Sequence, residues 1–323
     1  MGGFASIGEC MIELSGASGD IWRMGFAGDT FNTLWYVRAL SAANYPVDYV
    51  SAFGDDPFSE KQRDFFEANG IGTAKSPIIP GARPGLYAIT LDGAERSFTY
   101  WRSDAAARKL ASDPQALAAS LKDRDIVYFS GITLAILARA DRNALFESIA
   151  TARSNGSRIA FDPNYRARLW ENIETARAVI GEAMRLADIA LPTFPDEKDL
   201  FGDASPEATA RRIAAFGVKE IVVKDGTDPA LLLTPEQEEW VPAITANAID
   251  TTGAGDSFNG AYLAARLQGL APADAAKRAH TVAARVVEFY GALAPMEEAK
   301  EAFEPGTPPS ALPGISPSRG EIG

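Results

Sequence analysis

The chain of 323 residues has one cysteine, Cys10, and one histidine, His280. A single thiol excludes an intrachain disulfide and a thiolate metal cluster, and a single imidazole excludes a His-based metal centre and a Ser–His relay. His280 lies inside a late helical run and reads as structural. Acid–base chemistry is therefore left to carboxylates, Lys and Tyr. Basic residues are also in deficit, with 31 Lys and Arg against 43 Asp and Glu, a net charge of −12. That balance argues against a nucleic-acid partner, which calls for a basic face. It also makes any arginine cluster near a pocket more informative. No apolar run reaches membrane-spanning length, so no membrane partner is expected. Glu9 and Glu13 interrupt the N-terminal apolar stretch, which has no basic region and does not read as a signal peptide. Met1-Gly2-Gly3-Phe4-Ala5-Ser6 fits the myristoylation pattern, but Ser6 already reads as part of a strand. The expected setting is cytoplasmic.

Two familiar phosphate motifs are missing as well. No G-x-x-x-x-G-K-[ST] run exists. The dinucleotide fingerprint fails because Phe258 stands where its third glycine belongs.

What is present is Asp250-Thr251-Thr252-Gly253-Ala254-Gly255-Asp256-Ser257-Phe258. Small residues and two glycines allow backbone N–H groups to approach an anion, and Ser257 to Gln268 reads as the helix that follows. Free amides and the dipole at a helix N-terminus favour negative charge. Asp256 in the middle of that positive site would stay ionised and accept a proton, an arrangement suited to phosphoryl transfer onto a hydroxyl. A plain capping aspartate with flexible glycines is the competing reading.

The 46% apolar fraction suits a globular chain with a full core. Residues 4–14 read as a first strand and 19–27 as a second. Gly28-Asp29-Thr30 opens a helix. Val47 to Phe53 reads as a strand, and Asp55-Asp56-Pro57 caps a helix closed by Gly70. Leu86–Leu91 and Arg96–Trp101, joined through Asp92-Gly93, read as a partly exposed hairpin. From about residue 121 short β-rich runs alternate with helical segments, the pattern of a mostly parallel, helix-covered sheet. Leu231–Thr234 and Glu239–Val241 suit antiparallel edge strands. Helices are expected near 256–268 and 272–290. The Pro-rich stretch 305–323 reads as a disordered tail. Ligands in open α/β sheets bind at the carboxyl ends of strands. That rule selects Asp162 to Arg166, Thr193 to Glu197 and Lys224 to Asp228.

These residues resemble the ribokinase-type (PfkB) carbohydrate kinase family, from about Ile7 to Pro295. D-T-T-G-A-G-D-S-F is the most specific match. Gly8-Glu9-Cys10-Met11-Ile12-Glu13-Leu14, Gly28-Asp29-Thr30-Phe31-Asn32, Tyr100-Trp101-Arg102, Ala105–Arg108 and Phe161–Arg166 narrow it towards the members that act on 2-keto-3-deoxygluconate. The resemblance implies an α/β, ribokinase-like three-layer sandwich with a mostly parallel central sheet, spanning residues 1–304. A small β-sheet lid would draw on about 10–27 and 86–101 and supply the contact of a homodimer or higher homo-oligomer. It implies ATP and Mg²⁺ as cofactors and transfer to the 6-hydroxyl of a sugar acid. Fructose, ribose or 5-dehydro-2-deoxygluconate as acceptor, or a sugar sensor without turnover, are the alternatives. Asp256 is then the base, with the amides of Gly253, Ala254 and Gly255 holding the migrating charge. Gly28, Asn32, Tyr87, Tyr100, Arg102 and Arg166 correspond to sugar-binding positions. Asn164, Arg166, Lys224, Gly226, Thr227, Gly253 and Gly255 correspond to nucleotide-binding positions. Many members carry Asn-x-x-Glu near the metal. Here the segment is Thr193-Phe194-Pro195-Asp196-Glu197, so Asp196 or Glu197 is expected to act through metal-bound water.

Overall fold

The computed structural model describes residues 2–18, 21–92 and 95–304. The Pro-rich stretch 305–323, Gly93 of the expected hairpin turn and Met1 of the myristoylation pattern lie outside the described residues.

The chain begins with β1 (Phe4–Ile7), β2 (Met11–Ser18) and β3 (Ile21–Ala27), then α1 (Asp29–Leu40), β4 (Val47–Val50) and α2 (Pro57–Ala68). The hairpin β5 (Leu86–Asp92) and β6 (Glu95–Trp101) follows, then α3 (Pro114–Ser120). Strand–helix alternation takes over with β7 (Ile126–Ser130), α4 (Gly131–Ile136), α5 (Arg139–Ser154), β8 (Arg158–Asp162), α6 (Ile173–Leu186), β9 (Ile189–Ala190), α7 (Phe194–Phe201) and α8 (Pro206–Ala214). The last third holds β10 (Glu220–Asp225), β11 (Asp228–Leu233), β12 (Glu238–Val241), α9 (Ala254–Leu267), α10 (Pro272–Val286) and α11 (Met296–Phe303).

Eight strands form one sheet in the order β12-β11-β10-β9-β8-β7-β1-β4. It is parallel from β10 to β4, and β11 and β12 add the antiparallel edge. Alternation along each strand sends side chains into two separate cores. Ile126 and Tyr128 of β7 join the core with α1, α9 and α10, whereas Val127 and Phe129 join the core with α5 and α6. The result is the three-layer α/β sandwich. The other four strands form a small sheet, order β3-β2-β5-β6.

Residues 4–14 are not one strand, as their alternation suggested. The run breaks at Gly8-Glu9-Cys10, and β1 and β2 belong to different sheets. Packing fixes the break. A Cβ on Gly8 would lie 2.2 Å from Thr30 Oγ1, and Ser51 Oγ donates to the Gly8 carbonyl at 2.7 Å. This crossing sets the small sheet over the carboxyl ends of β7, β8 and β10, and the cleft lies between them.

Candidate active site

Helix α9 starts three residues earlier than its apolar pattern indicated, at Ala254, with Gly253 as N-cap at φ 76°. Only glycine adopts that backbone freely. Position 253 is also crowded, since a Cβ there would meet Ala292 Cα and Cβ at 2.9 Å. The Ala254 N–H, expected to face an anion, closes a turn onto the Thr251 carbonyl at 3.2 Å. The amides of Gly253 and Gly255 have no acceptor among the described residues, which leaves these two free to meet an anion.

Asp256 therefore sits in the first turn of α9, half-buried and lining the cleft. Its Oδ2 accepts from Asn32 Nδ2 at 2.8 Å, from the α1 side of the cleft. Burial pushes its pKa up to about 7, nearby Asp29 and Asp162 push the same way, and the Asn32 bond and Lys224 oppose them. The group is poised at neutral pH rather than held ionised, contrary to what the helix dipole alone suggested.

The strand ends β8 and β10 supply the floor. Lys224 Nζ donates to Asp162 Oδ2 at 3.0 Å and to Asn259 Oδ1 at 2.8 Å, and Asn259 Nδ2 returns to Asp162 at 2.7 Å. This buried triangle holds the ammonium beneath Gly255, where an added Cβ would lie 3.7 Å from Nζ. Asn164 adopts φ 35°, and its Nδ2 reaches Asp29 at 2.9 Å. Gly28 closes the α1 side, its N–H donating to Asn32 Oδ1 at 3.2 Å. A Cβ on Gly28 would lie 2.1 Å from the Glu9 carbonyl, so close backbone approach demands glycine here.

The small sheet supplies the roof. Tyr87 stacks on Tyr100 with ring centroids 5.6 Å apart, and its hydroxyl donates to Glu13. Arg102 pairs with Glu9, which is buried at the β1–β2 crossing. Arg166 pairs with Asp196 at 3.0 Å. Together these residues enclose a cleft of about 410 Å³ that brings in Gly28, Asn32, Tyr87, Tyr100, Arg102, Asn164, Arg166, Asp196, Lys224 and Gly253 to Asp256.

Three expected residues are not in that cleft. Gly226 and Thr227 line a second cavity of about 320 Å³ with Ala243, Ile244 and Val287. The two cavities share Thr251 and Ala254, so they are contiguous around the start of α9. Glu197 is the real departure. Its side chain is fully buried and ion-paired with Arg212, and it faces the α7–α8 packing rather than the cleft. The α-helical turn after Thr193 rotates consecutive residues by about 100°, so Asp196 and Glu197 cannot both face one site. Among the described residues no group of three acidic, His or Cys side chains is arranged to hold a metal. His280 is buried against Phe258, with ring centroids 4.9 Å apart, and burial lowers its pKa to about 4, so it is neutral. It also edges the second cavity.

Sequence reasoning gave no role to Asp29, Asn259 or Glu9, and selected Asp162 only through the strand-end rule. Asp29 and Asp162 lay inside motifs already singled out, so adjacency was a usable signal. Asn259 and Glu9 act through partners 35 to 97 residues away in the chain, which nothing local reveals.

Comparisons with known proteins agree with this geometry. The pfkB family carbohydrate kinases match residues 1–299. The 2-dehydro-3-deoxygluconokinase of Escherichia coli (strain K12) is 42% identical over 301 residues, covering 91% of this chain and 97% of that protein. The enzyme of the same name from Dickeya dadantii (strain 3937) is 41% identical with the same coverage. In fold, the chain is similar to fructokinase with bound ATP from Xylella fastidiosa, with TM-score 0.81 and 22% identity over 93% of this chain and 97% of that one. With a family match over nearly the whole described chain, and a half-buried aspartate beside open amides at the start of α9, this protein belongs to the pfkB family of carbohydrate kinases.

Proposed function

We propose that the chain phosphorylates 2-dehydro-3-deoxygluconate (2-keto-3-deoxygluconate) with ATP, at the 6-hydroxyl. The observation that carries this reading is the placement of Asp256 beside the unspent amides of Gly253 and Gly255, under a roof holding Tyr87, Tyr100 and Arg102. The 41–42% identical relatives bearing the corresponding name support the choice of substrate.

In this reading Asp256 takes the proton of the acceptor hydroxyl. Asn32, which donates to Oδ2, leaves the other carboxylate oxygen for that proton. The amides of Gly253 and Gly255 hold charge that grows on the transferring group, and such preorganised donors are usually the largest single catalytic contribution. Lys224 adds a fixed positive charge from below. Gly28, Asn32, Tyr87, Tyr100, Arg102 and Arg166 hold the sugar acid. The second cavity, with Gly226 and Thr227, suits a nucleoside base and ribose, and its continuity with the cleft leads the phosphates towards Asn164, Arg166 and Lys224. Mg²⁺, when bound, neutralises phosphate charge. The donor set fits an ion held chiefly by phosphates and water, with Asp196 as the nearby carboxylate.

A coupled ATP-consumption assay over sugar acids and neutral sugars tests the reading. Highest kcat/KM on 2-dehydro-3-deoxygluconate is expected. Preference for fructose or ribose would overturn the substrate, and no ATP consumption with any acceptor would favour a sensor.

The pH profile follows from Asp256. The base must be ionised to act, so kcat/KM should fall about tenfold per pH unit below roughly 7 and level off above it. A profile still flat down to pH 5 would remove Asp256 as the base. Linkage has the opposite sense for stability. The folded pKa of about 7 lies above the ordinary 3.8. The contribution of this group to stability is therefore complete below about pH 4 and is lost as pH rises through 7.

The small sheet would act as a lid and as a dimer contact. Its outer face exposes Trp22, Met24 and Trp101 at 42%, 43% and 58%. Large aromatics in such a patch mark an interaction surface. Sedimentation is expected to give twice the 34.4 kDa chain mass, and Trp101→Glu should return the monomer. A wild-type monomer at micromolar concentration would exclude the dimer. No helix among the described residues is long and apolar enough to cross a membrane, and the cytoplasm is the setting we propose.

A further inference from the structure

Three arginines face the cleft, and two are already matched by carboxylates. Arg102 is tied to Glu9, and Arg166 to Asp196. The one lysine of the cleft, Lys224, is tied to Asp162. Each of these cations presents an approaching anion with a pair whose charges largely cancel. Arg168 differs. It projects from the short turn Ala167–Leu169 that follows β8, lines the cleft, and has no carboxylate partner among the described residues. Its guanidinium lies over the ring of Tyr100, 4.1 Å from the centroid, and so spans from the α/β body to the small sheet.

We infer that Arg168 is the specificity-determining residue that reads the carboxylate of the acceptor, and so separates sugar acids from neutral sugars. The inference rests on the sugar-acid reading above and adds the residue that enforces it. Stacking on Tyr100 engages the face of the guanidinium and leaves its edge N–H groups free, in the fork geometry that matches a carboxylate. The contact with the ring also restrains an exposed side chain, so less freedom is lost when the anion binds. Charge supplies the selection. Asp29 and Asp256 face the cleft interior with no cation paired to them among the described residues, and an acid entering there is helped by an uncancelled cation near the mouth. Arg168 is that cation. A carboxylate bound to it would lie between the turn after β8 and the small sheet, and would hold the two together across the cleft.

The test uses Arg168→Met and Arg168→Lys in the full chain. Met keeps apolar contact with Tyr100 but removes the charge, and Lys keeps the charge. For Arg168→Met, KM for 2-dehydro-3-deoxygluconate should rise about 10–100-fold, the worth of a charge-assisted hydrogen bond. Its kcat should stay within about threefold and its KM for ATP unchanged, because binding rather than the transfer step is lost. Arg168→Lys keeps the charge but loses the fork, so its KM should fall between those of the wild type and Arg168→Met. Added salt should raise KM for the wild type and leave Arg168→Met nearly flat. An unchanged KM for the acid in Arg168→Met would overturn the inference. So would a rise confined to KM for ATP, which would assign Arg168 to the nucleotide, or a lysine variant as weak as the methionine one. Those outcomes all leave a wild type active on the acid. A wild type that turns over no sugar acid would instead sink the substrate reading itself, and the inference with it.

Discussion

Asp256→Asn should lower kcat by about 10²–10⁴-fold, the range for loss of a general base. The amide matches the carboxylate in shape, and its oxygen can still accept from Asn32 Nδ2. The geometry of the cleft should hold, and KM for both substrates should stay within a few-fold. What disappears is the capacity to take a proton at neutral pH. Folding should not suffer. Burial and the neighbouring charges of Asp29 and Asp162 already work against an ionised group at this position, so removing the charge leaves the thermal midpoint unchanged or higher. The acid limb of the pH profile should vanish with the base. Near-normal turnover in Asp256→Asn would end the assignment, and a protein that fails to fold would show that the aspartate is structural.

Gly253→Ala should be the next most damaging change, with kcat reduced about 10²–10³-fold. Two causes act together. The residue must hold φ 76°, and the new Cβ must fit where Ala292 Cα and Cβ lie 2.9 Å away. A left-handed alanine alone costs about 1–3 kcal/mol. The clash adds a forced movement of the start of α9, and the amides of Gly253 and Gly255 move with it. Gly269→Ala separates the two effects. Gly269 has φ +85° but open space around its Cβ position, at the far end of the same helix. It should lower stability by a similar backbone strain and leave kcat alone. If both variants keep full turnover, the amides at the start of α9 do not hold the transferring charge.

Much of this site was legible along the chain because it is built from contiguous pieces. The run Asp250–Phe258 carries both the proposed base and its proposed anion donors, so local spacing was enough to pair them. The parallel sheet was equally readable. Its strands are buried on both faces and appear as short β-rich runs between helices, and the strand-end rule then selected Asn164, Arg166, Asp196 and Lys224. The edge pair β11 and β12 also followed from its pattern. Errors arose where consecutive residues part company in space. Residues 4–14 alternate as one strand, yet contacts at Gly8 turn the chain from one sheet to the other. Asp196 and Glu197 are neighbours in sequence, yet the helix sends one into the cleft and the other onto Arg212.

The linear order of residues was sufficient for the fold class, the aspartate with its glycines, and the exclusion of thiol, imidazole and P-loop chemistry, because each depends on residue types and short spacings. Which cations remain uncancelled, and how far Asp256 departs from an ordinary carboxylate, were decided only by folding. Charge–charge energies and desolvation depend on distances through space. The groups that set them here lie far apart in the chain: Glu9 meets Arg102 where the small sheet joins the body, and Asp29, Asp162 and Asp256 meet where α1, β8 and α9 converge.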